Sequence, residues 1–91
     1  MITITAAPGK FEELRDNLID NLTVTKDYEG IESIRLVAPE QSDNTLVLME
    51  EWATVEHYSA YKAWRNESGS SALKPELVTG PPVVVFSEIL F

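Results

Sequence analysis

The chain has 91 residues, no cysteine, one histidine and a formal net charge of −8. At this length we expect one domain over residues 1–91 whose own core is thin, since folding buries only about 60 to 65% of the unfolded surface. The composition excludes disulfides and thiolate ligands, and the scattered Lys and Arg residues argue against nucleic acid or an anionic membrane as a partner. With one histidine we expect no metal, and without an export signal or a bilayer-length apolar run we expect a cytoplasmic protein.

The first half of the chain predicts three strands and one helix. Met1–Thr5 alternates apolar residues with threonine, which is typical of a strand with one buried face. After Pro8-Gly9, apolar residues recur at helical spacing, and the acidic Glu12 and Glu13 lie in the first turn, where the helix dipole favours them. These apolar residues are Phe11, Leu14, Leu18 and Leu22. Gly30 then opens a second strand, Ile31–Ala38, and a polar turn leads to a third, Thr45–Trp52.

The second half predicts a helix and a final strand. Thr54 can cap a helix over Val55–Arg65 through its hydroxyl. A Ser/Gly-rich loop at Ser68–Ser71 and a short helical turn at Leu73–Leu77 precede a last strand, Val83–Phe91. The order β-α-β-β-α-β predicts an α+β, ferredoxin-like domain, in which two helices cover one face of a four-stranded antiparallel sheet.

The last predicted strand is apolar on both faces, and helices can cover only one of them. Its residues are Val83, Val85, Ile89 and Phe91 on one side and Val84, Phe86 and Leu90 on the other. On the third strand, Val47 and Met49 likewise lie opposite Leu46, Leu48 and Trp52. A sheet with a solvated face should instead alternate apolar with polar residues. We therefore predict a homodimer that covers the outer face.

The candidate site lies between Glu50 and Arg65, where four aromatic residues and the only histidine of the sequence fall within thirteen positions. At 100° per residue, Tyr58, Tyr61 and Trp64 share one stripe of the helix, and His57 lies beside Trp64. Side chains two apart share a strand face, so the side chains of Leu48, Glu50 and Trp52 point the same way.

Two interpretations of these residues stay open. The rings form an ordinary aromatic core, or they line a cavity between the sheet and the second helix that binds an aromatic or flat ligand. Glu50 either pairs with Arg65, or burial raises its pKa and suits it to act as a base or an acid. The plainer interpretation of His57 is a partly exposed helix histidine.

Several motifs together resemble the antibiotic biosynthesis monooxygenase (ABM) family of small dimeric α+β barrel proteins, over nearly the whole chain. They are Pro8-Gly9-Lys10, Gly30-x-x-Ser33, Glu50-x-Trp52 with Tyr58 and Tyr61 beyond, and Gly80-Pro81-Pro82. The resemblance implies a fold more than a reaction, because the superfamily includes quinol and polyketide oxygenases, haem-degrading enzymes, isomerases and proteins of unknown role.

The polyketide-oxidising members offer the best residue match. They resemble this chain in a strand Trp and a helix Tyr that contact the substrate, at the positions of Trp52 and Tyr58. Their strand Asn falls on Leu48, and their later Arg falls near Ala72, so two polar contributors are missing.

The other branches match less well. The helix Trp of the haem-degrading branch falls on Tyr61 and its haem-ligating His near Ser71, so we expect no haem. The quinol-oxidising branch often has His where Tyr61 and Asn66 stand.

The resemblance implies a cofactor-independent monooxygenase that acts on a small aromatic, phenolic or quinol-type compound. Trp52 would pack on the substrate ring, Tyr58 and Tyr61 would donate to its oxygens, and Glu50 or His57 would take its proton. Trp64 and Leu48 would complete the binding surface. The alternative is a non-catalytic or isomerase-type dimeric barrel that binds a small metabolite.

Overall fold

The computed structural model describes residues 1–68 and 74–90. Its elements follow the predicted order, with two α-helices, four strands and one 3-10 turn in the described ranges. They are β1 (Ile2–Thr5), α1 (Phe11–Thr25), β2 (Ile31–Val37), β3 (Thr45–Trp52), α2 (Val55–Ser68), the 3-10 turn (Pro75–Leu77) and β4 (Val83–Val84).

The sheet is antiparallel and its strand order is β2-β3-β1-β4, which confirms the ferredoxin-like topology. In the register of the two central strands, Ile4 pairs with Leu46 and Ile2 pairs with Leu48. A register shift between Ile31 and Ser33 interrupts the β2–β3 ladder close to Trp52. This hairpin carries the candidate site at its end nearest α2.

The core lies between α1 and the helix-facing side of the sheet, as the two periodicities predict. Leu14 and Leu18 of α1 are fully buried, one helical turn apart, and they pack with alternate residues of β1 and β3. The 3-10 turn adds a further buried residue. The cluster comprises Ile4, Ala6, Leu14, Leu18, Leu46 and Leu77.

The last strand is much shorter than predicted. Only Val83 and Val84 pair with β1, and the mutual backbone hydrogen bonds of Met1 and Val85, both 2.8 Å long, extend the pairing by one residue. Residues 86–90 have no β1 backbone beside them, so the apolar pattern that predicted a strand to Phe91 has no ladder to join there. Apolar alternation alone does not make a strand.

Other boundaries differ by a few residues. Helix α2 continues past Arg65 to Ser68, and β2 ends one residue before Ala38. Most of the predicted Ser68–Ser71 loop lies outside the described residues, as do Leu73 and Phe91. In the ranges that are described, neither helix has the length and apolar content that a bilayer crossing requires.

Gly30 joins the start of β2 to the start of α2. Its φ is +93°, and a Cβ built on it would overlap the ring of His57. Its carbonyl accepts a 2.7 Å hydrogen bond from the Ala53 N–H, just before the helix begins. Thr54 caps that helix as predicted, since its hydroxyl accepts the His57 N–H at 3.1 Å. Glycine is therefore required at position 30 both by the positive φ and by the close approach of the His57 ring.

We expect Gly30→Ala to destabilise the chain more than Gly9→Ala. Gly9 also has a positive φ, +74°, but no atom lies within 4 Å of the position that a Cβ would occupy there. Backbone strain should cost about 1 to 2 kcal/mol in both variants, and displacement of the His57 ring should cost Gly30→Ala about 1 to 3 kcal/mol more. Urea unfolding followed by circular dichroism measures both values, and equal losses would contradict the close contact.

Candidate functional site

Six aromatic rings contact one another between α2 and the end of the β2–β3 hairpin, and we call them the aromatic cluster. Its members are Tyr28, Trp52, Tyr58, Tyr61, Trp64 and Phe86. Trp52 is central, with its ring centroid 5.1 Å from that of Tyr61 and 5.7 Å from that of Tyr58. Strand and helix thus bring together the rings that their spacing placed on facing sides.

Glu50 lies beside this cluster on the helix-facing side of β3. Its Oε1 accepts a 3.2 Å hydrogen bond from Trp52 Nε1. Burial raises the pKa of Glu50, and this effect outweighs the opposing hydrogen bond and the weaker attraction of distant cations, Arg65 among them. Within residues 1–68 and 74–90 no ion pair joins Glu50 to Arg65. Of the two interpretations of Glu50, the structure favours the carboxyl group with a raised pKa.

Tyr58 carries a hydroxyl group whose pKa responds to the Glu50 carboxylate. Burial raises the pKa of Tyr58, and the negative charge of Glu50 raises it further. The phenol therefore stays protonated at neutral pH and can donate a hydrogen bond. Its hydroxyl has no hydrogen-bond partner among the side chains and backbone that the structure describes. Tyr58 is thus a donor available to a ligand.

The hydroxyl of Tyr61, in contrast, belongs to a buried network with Arg65. It lies 2.6 Å from Thr25 Oγ1 and accepts a 2.8 Å hydrogen bond from Arg65 Nε. Arg65 also donates to Thr25 Oγ1 at 3.0 Å and to the Asn21 carbonyl at 2.9 Å, while the Thr25 hydroxyl lies 3.3 Å from the same carbonyl. Because the Thr25 hydroxyl donates to that carbonyl, the Tyr61 hydroxyl donates to Thr25, and its proton is not available to a ligand.

The remaining predicted residues lie in different surroundings. His57 is held by the helix cap, with Nδ1 2.7 Å from Thr54 Oγ1 and its ring against Gly30. Leu48 is buried under the sheet's helix-facing side, paired with Leu36 across the hairpin. Trp64 is partly exposed at the edge of the aromatic cluster, 5.3 Å from Tyr28 between centroids. The local partners of His57 favour its plainer interpretation as a helix histidine.

Two members of the aromatic cluster were missed from sequence. Tyr28 lies between the end of α1 and Gly30, outside any periodic segment, and Phe86 belongs to the part of the predicted strand that leaves the sheet. The hairpin register carries a signal for Tyr28, since Ile31 pairs with Trp52 and brings the preceding turn beside the indole. No comparable signal points to Phe86, which contacts Tyr58 at 5.5 Å between centroids.

Where a cavity was expected, the described rings contact one another. Two surface recesses, of about 290 and 350 Å³, are lined by other residues: the first by the start of β2 and the second by α1 and the 3-10 turn. A ligand at the cluster would bind at its open edge or displace a ring. Among the residues described, no group of three or more His, Asp or Glu side chains has the arrangement of a metal site.

Comparison with known proteins gives a family and a fold. The sequence model described as antibiotic biosynthesis monooxygenase matches residues 1–74. A structure from Bordetella bronchiseptica, described as a candidate antibiotic biosynthesis monooxygenase, is 18% identical with a TM-score of 0.70, and the match covers 98% of this chain and 93% of that one. No curated protein matches the chain.

Two further solved structures have similar folds. A Shewanella oneidensis protein is 17% identical with a TM-score of 0.73, covering 87% of this chain and 78% of that one. A Pseudomonas aeruginosa protein is 18% identical with a TM-score of 0.70, covering 94% and 90% respectively. At this identity the likeness establishes the fold alone.

Tyr61→Phe should lower the free energy of unfolding by about 1 to 3 kcal/mol, because it leaves buried hydrogen-bonding groups of Arg65 and Thr25 without that partner. Tyr58→Phe is the matched control, since it removes a hydroxyl without a partner in the described chain. It should leave the unfolding midpoint unchanged. Chemical denaturation of both variants measures the difference, and a Tyr61→Phe midpoint equal to that of the wild type would refute the network.

Proposed function

The chain belongs to the antibiotic biosynthesis monooxygenase family, and on that premise we propose that it is a cofactor-independent monooxygenase of a small aromatic, phenolic or quinol-type compound. The observation that carries this proposal is Glu50, a carboxyl group with a raised pKa beside an indole and an available phenol. A base is most effective when its pKa lies near the operating pH. Burial moves Glu50 in that direction.

The proposed reaction starts with removal of a proton from the substrate by Glu50. The resulting electron-rich anion gives an electron to O2, and the radical pair combines to form a carbon–oxygen bond. The peroxide then takes up a proton and loses water, so that a CH2 group and O2 become a carbonyl group and H2O. Trp52 packs on the substrate ring, and the Tyr58 hydroxyl donates to the oxygen on which negative charge develops. None of these steps requires a flavin, haem or metal.

The open edge of the aromatic cluster at Phe86 is the proposed entrance. Phe86 is 72% exposed, and its ring contacts that of Tyr58 edge-on. Because residues 86–90 lie outside the sheet, displacement of this ring breaks no ladder hydrogen bond. A flat substrate could therefore replace Phe86 against Tyr58 and reach Glu50.

The alternative function is that of a non-catalytic or isomerase-type barrel that binds a small metabolite. Two observations favour it: Leu48 stands where related oxygenases have Asn, and the cluster rings are in mutual contact. Both alternatives use the same aromatic surface. They differ in whether O2 is consumed during turnover.

Oxygen uptake by the chelator-treated protein, with a panel of quinols and anthrone-like phenols, tests the enzyme. We expect kcat/KM to fall as the pH drops through the raised pKa of Glu50, because the base becomes protonated. Glu50→Gln should abolish that pH dependence and lower kcat/KM about 100-fold. Tyr58→Phe should lower kcat/KM about tenfold. The control is Glu51→Gln, since Glu51 is exposed on the other face. Full activity of Glu50→Gln would exclude this base, and no uptake with any substrate would favour the binding protein.

We also propose a homodimer whose sheets close into an α+β barrel. The face of the sheet away from the helices exposes Val37, Met49 and Val83 near Val47. Met49 lies opposite Trp52 in the strand alternation, as its position predicted. A chain of this size gains the buried apolar area that its own core lacks when a second copy covers this face. A cytoplasmic location stays a prediction.

Met49→Asp should unfold the chain, since it places a charge in the proposed interface and removes the partner that completes the core. Ile19→Asp is a matched control, because Ile19 is 47% exposed on α1 and Met49 is 46% exposed on β3. Sedimentation velocity at micromolar concentration measures the association of each variant, and circular dichroism measures its folding. A stable wild-type monomer, or equal behaviour of the two variants, would refute the dimer.

A further inference from the structure

We propose that Tyr28 is a second hydrogen-bond donor to the ligand of the aromatic cluster, and that the site therefore selects flat ligands with oxygen acceptors at two ends. This inference rests on the proposed function for the location of the ligand. It adds a specificity-determining residue on the loop between α1 and β2.

The first observation is the symmetry of the contacts around Trp52. Tyr58 and Tyr28 both meet the indole edge-on, with interplanar angles of 67° and 66° and centroid distances of 5.7 and 6.3 Å. One tyrosine comes from α2 and the other from the loop before β2. Trp52 itself is held by its hydrogen bond to Glu50. A ligand packed on this indole would therefore lie near two phenol groups, one from α2 and one from the loop before β2.

The second observation concerns the three tyrosine hydroxyls. That of Tyr61 donates to Thr25 and accepts from Arg65, so its proton is not available to a ligand. Those of Tyr28 and Tyr58 have no hydrogen-bond partner within residues 1–68 and 74–90. A half-buried phenol that lacks a protein partner must bond to water or to a ligand. Tyr28 thus takes the donor role that sequence reasoning assigned to Tyr61.

The third observation is the apolar wall behind Tyr28. Its ring centroid lies 5.1 Å from that of Tyr61 and 5.3 Å from that of Trp64, so the phenol is held in place by rings on several sides. Orientation by packing lowers the entropy cost of a directed hydrogen bond. The nearby Glu50 carboxylate and the net charge of −8 disfavour an anionic ligand. A neutral fused-ring compound with two carbonyl or hydroxyl oxygens suits this surface.

Two probes with related fused rings distinguish the contribution of a second acceptor oxygen from that of the ring. They are 1,4-naphthoquinone, which has two carbonyl oxygens, and 1-tetralone, which has one. Quenching of tryptophan fluorescence measures the affinity of each, and the chain has no cysteine to react with the quinone. Tyr28→Phe should weaken naphthoquinone binding about three- to tenfold and leave tetralone binding within twofold. Its unfolding midpoint should equal that of the wild type, because the lost hydroxyl has no partner in the described chain.

The other outcomes decide against the inference in distinguishable ways. If Tyr28→Phe binds both probes as the wild type does, while Trp52→Phe or Tyr58→Phe weakens binding, the Tyr28 assignment is wrong and the proposed site stands. If Tyr28→Phe weakens the binding of both probes equally, its effect is on the ring surface, and the proposed selection for two oxygen acceptors is wrong. If the wild type binds neither probe, both the assignment and the proposed aromatic-ligand function fail.

Discussion

The buried guanidinium of Arg65 is the constraint on which the arrangement of the site depends. Arg65 is only 6% exposed, and an arginine cannot escape burial by losing its proton. Burial of an ion costs several kcal/mol unless hydrogen bonds compensate for the lost water. Here the Asn21 carbonyl and the hydroxyls of Thr25 and Tyr61 provide them. The charge thereby connects the end of α1 to the last turn of α2.

This network determines what the neighbouring groups can do. It orients the Tyr61 ring against Trp52 and uses the Tyr61 hydroxyl, which leaves Tyr58 and Tyr28 as the available phenols. It also places the guanidinium away from Glu50, which forms no ion pair with it in the described part of the chain. Burial raises the pKa of the Glu50 carboxyl group, and the weaker attraction of Arg65 does not offset that effect. The buried Arg65 thus gives Tyr61 a structural role and leaves Tyr58 available for a chemical role.

The fold supplies a frame that many reactions share, so the site residues must carry the functional argument. The helix-facing side of β3 carries the buried Leu46 and Leu48 first and the site residues Glu50 and Trp52 after them, while the opposite side exposes Met49. The same strand therefore serves both the aromatic cluster and the proposed dimer face. A change in strand register by one residue would exchange the two faces, which couples the site to the sheet.

Local periodicity determined the order of the elements, the shared face of Leu48, Glu50 and Trp52, and the Thr54 cap. These features depend on residues two to four positions apart, and sequence spacing alone defines them. The hydrogen bonds of the Tyr61 and Arg65 side chains to Thr25 span 36 and 40 positions, so only the packing of α1 against α2 could decide them. The position of Tyr28 and the short length of β4 were likewise decided by tertiary structure. An apolar residue becomes part of a strand, and an aromatic residue part of a site, only where another segment lies beside it.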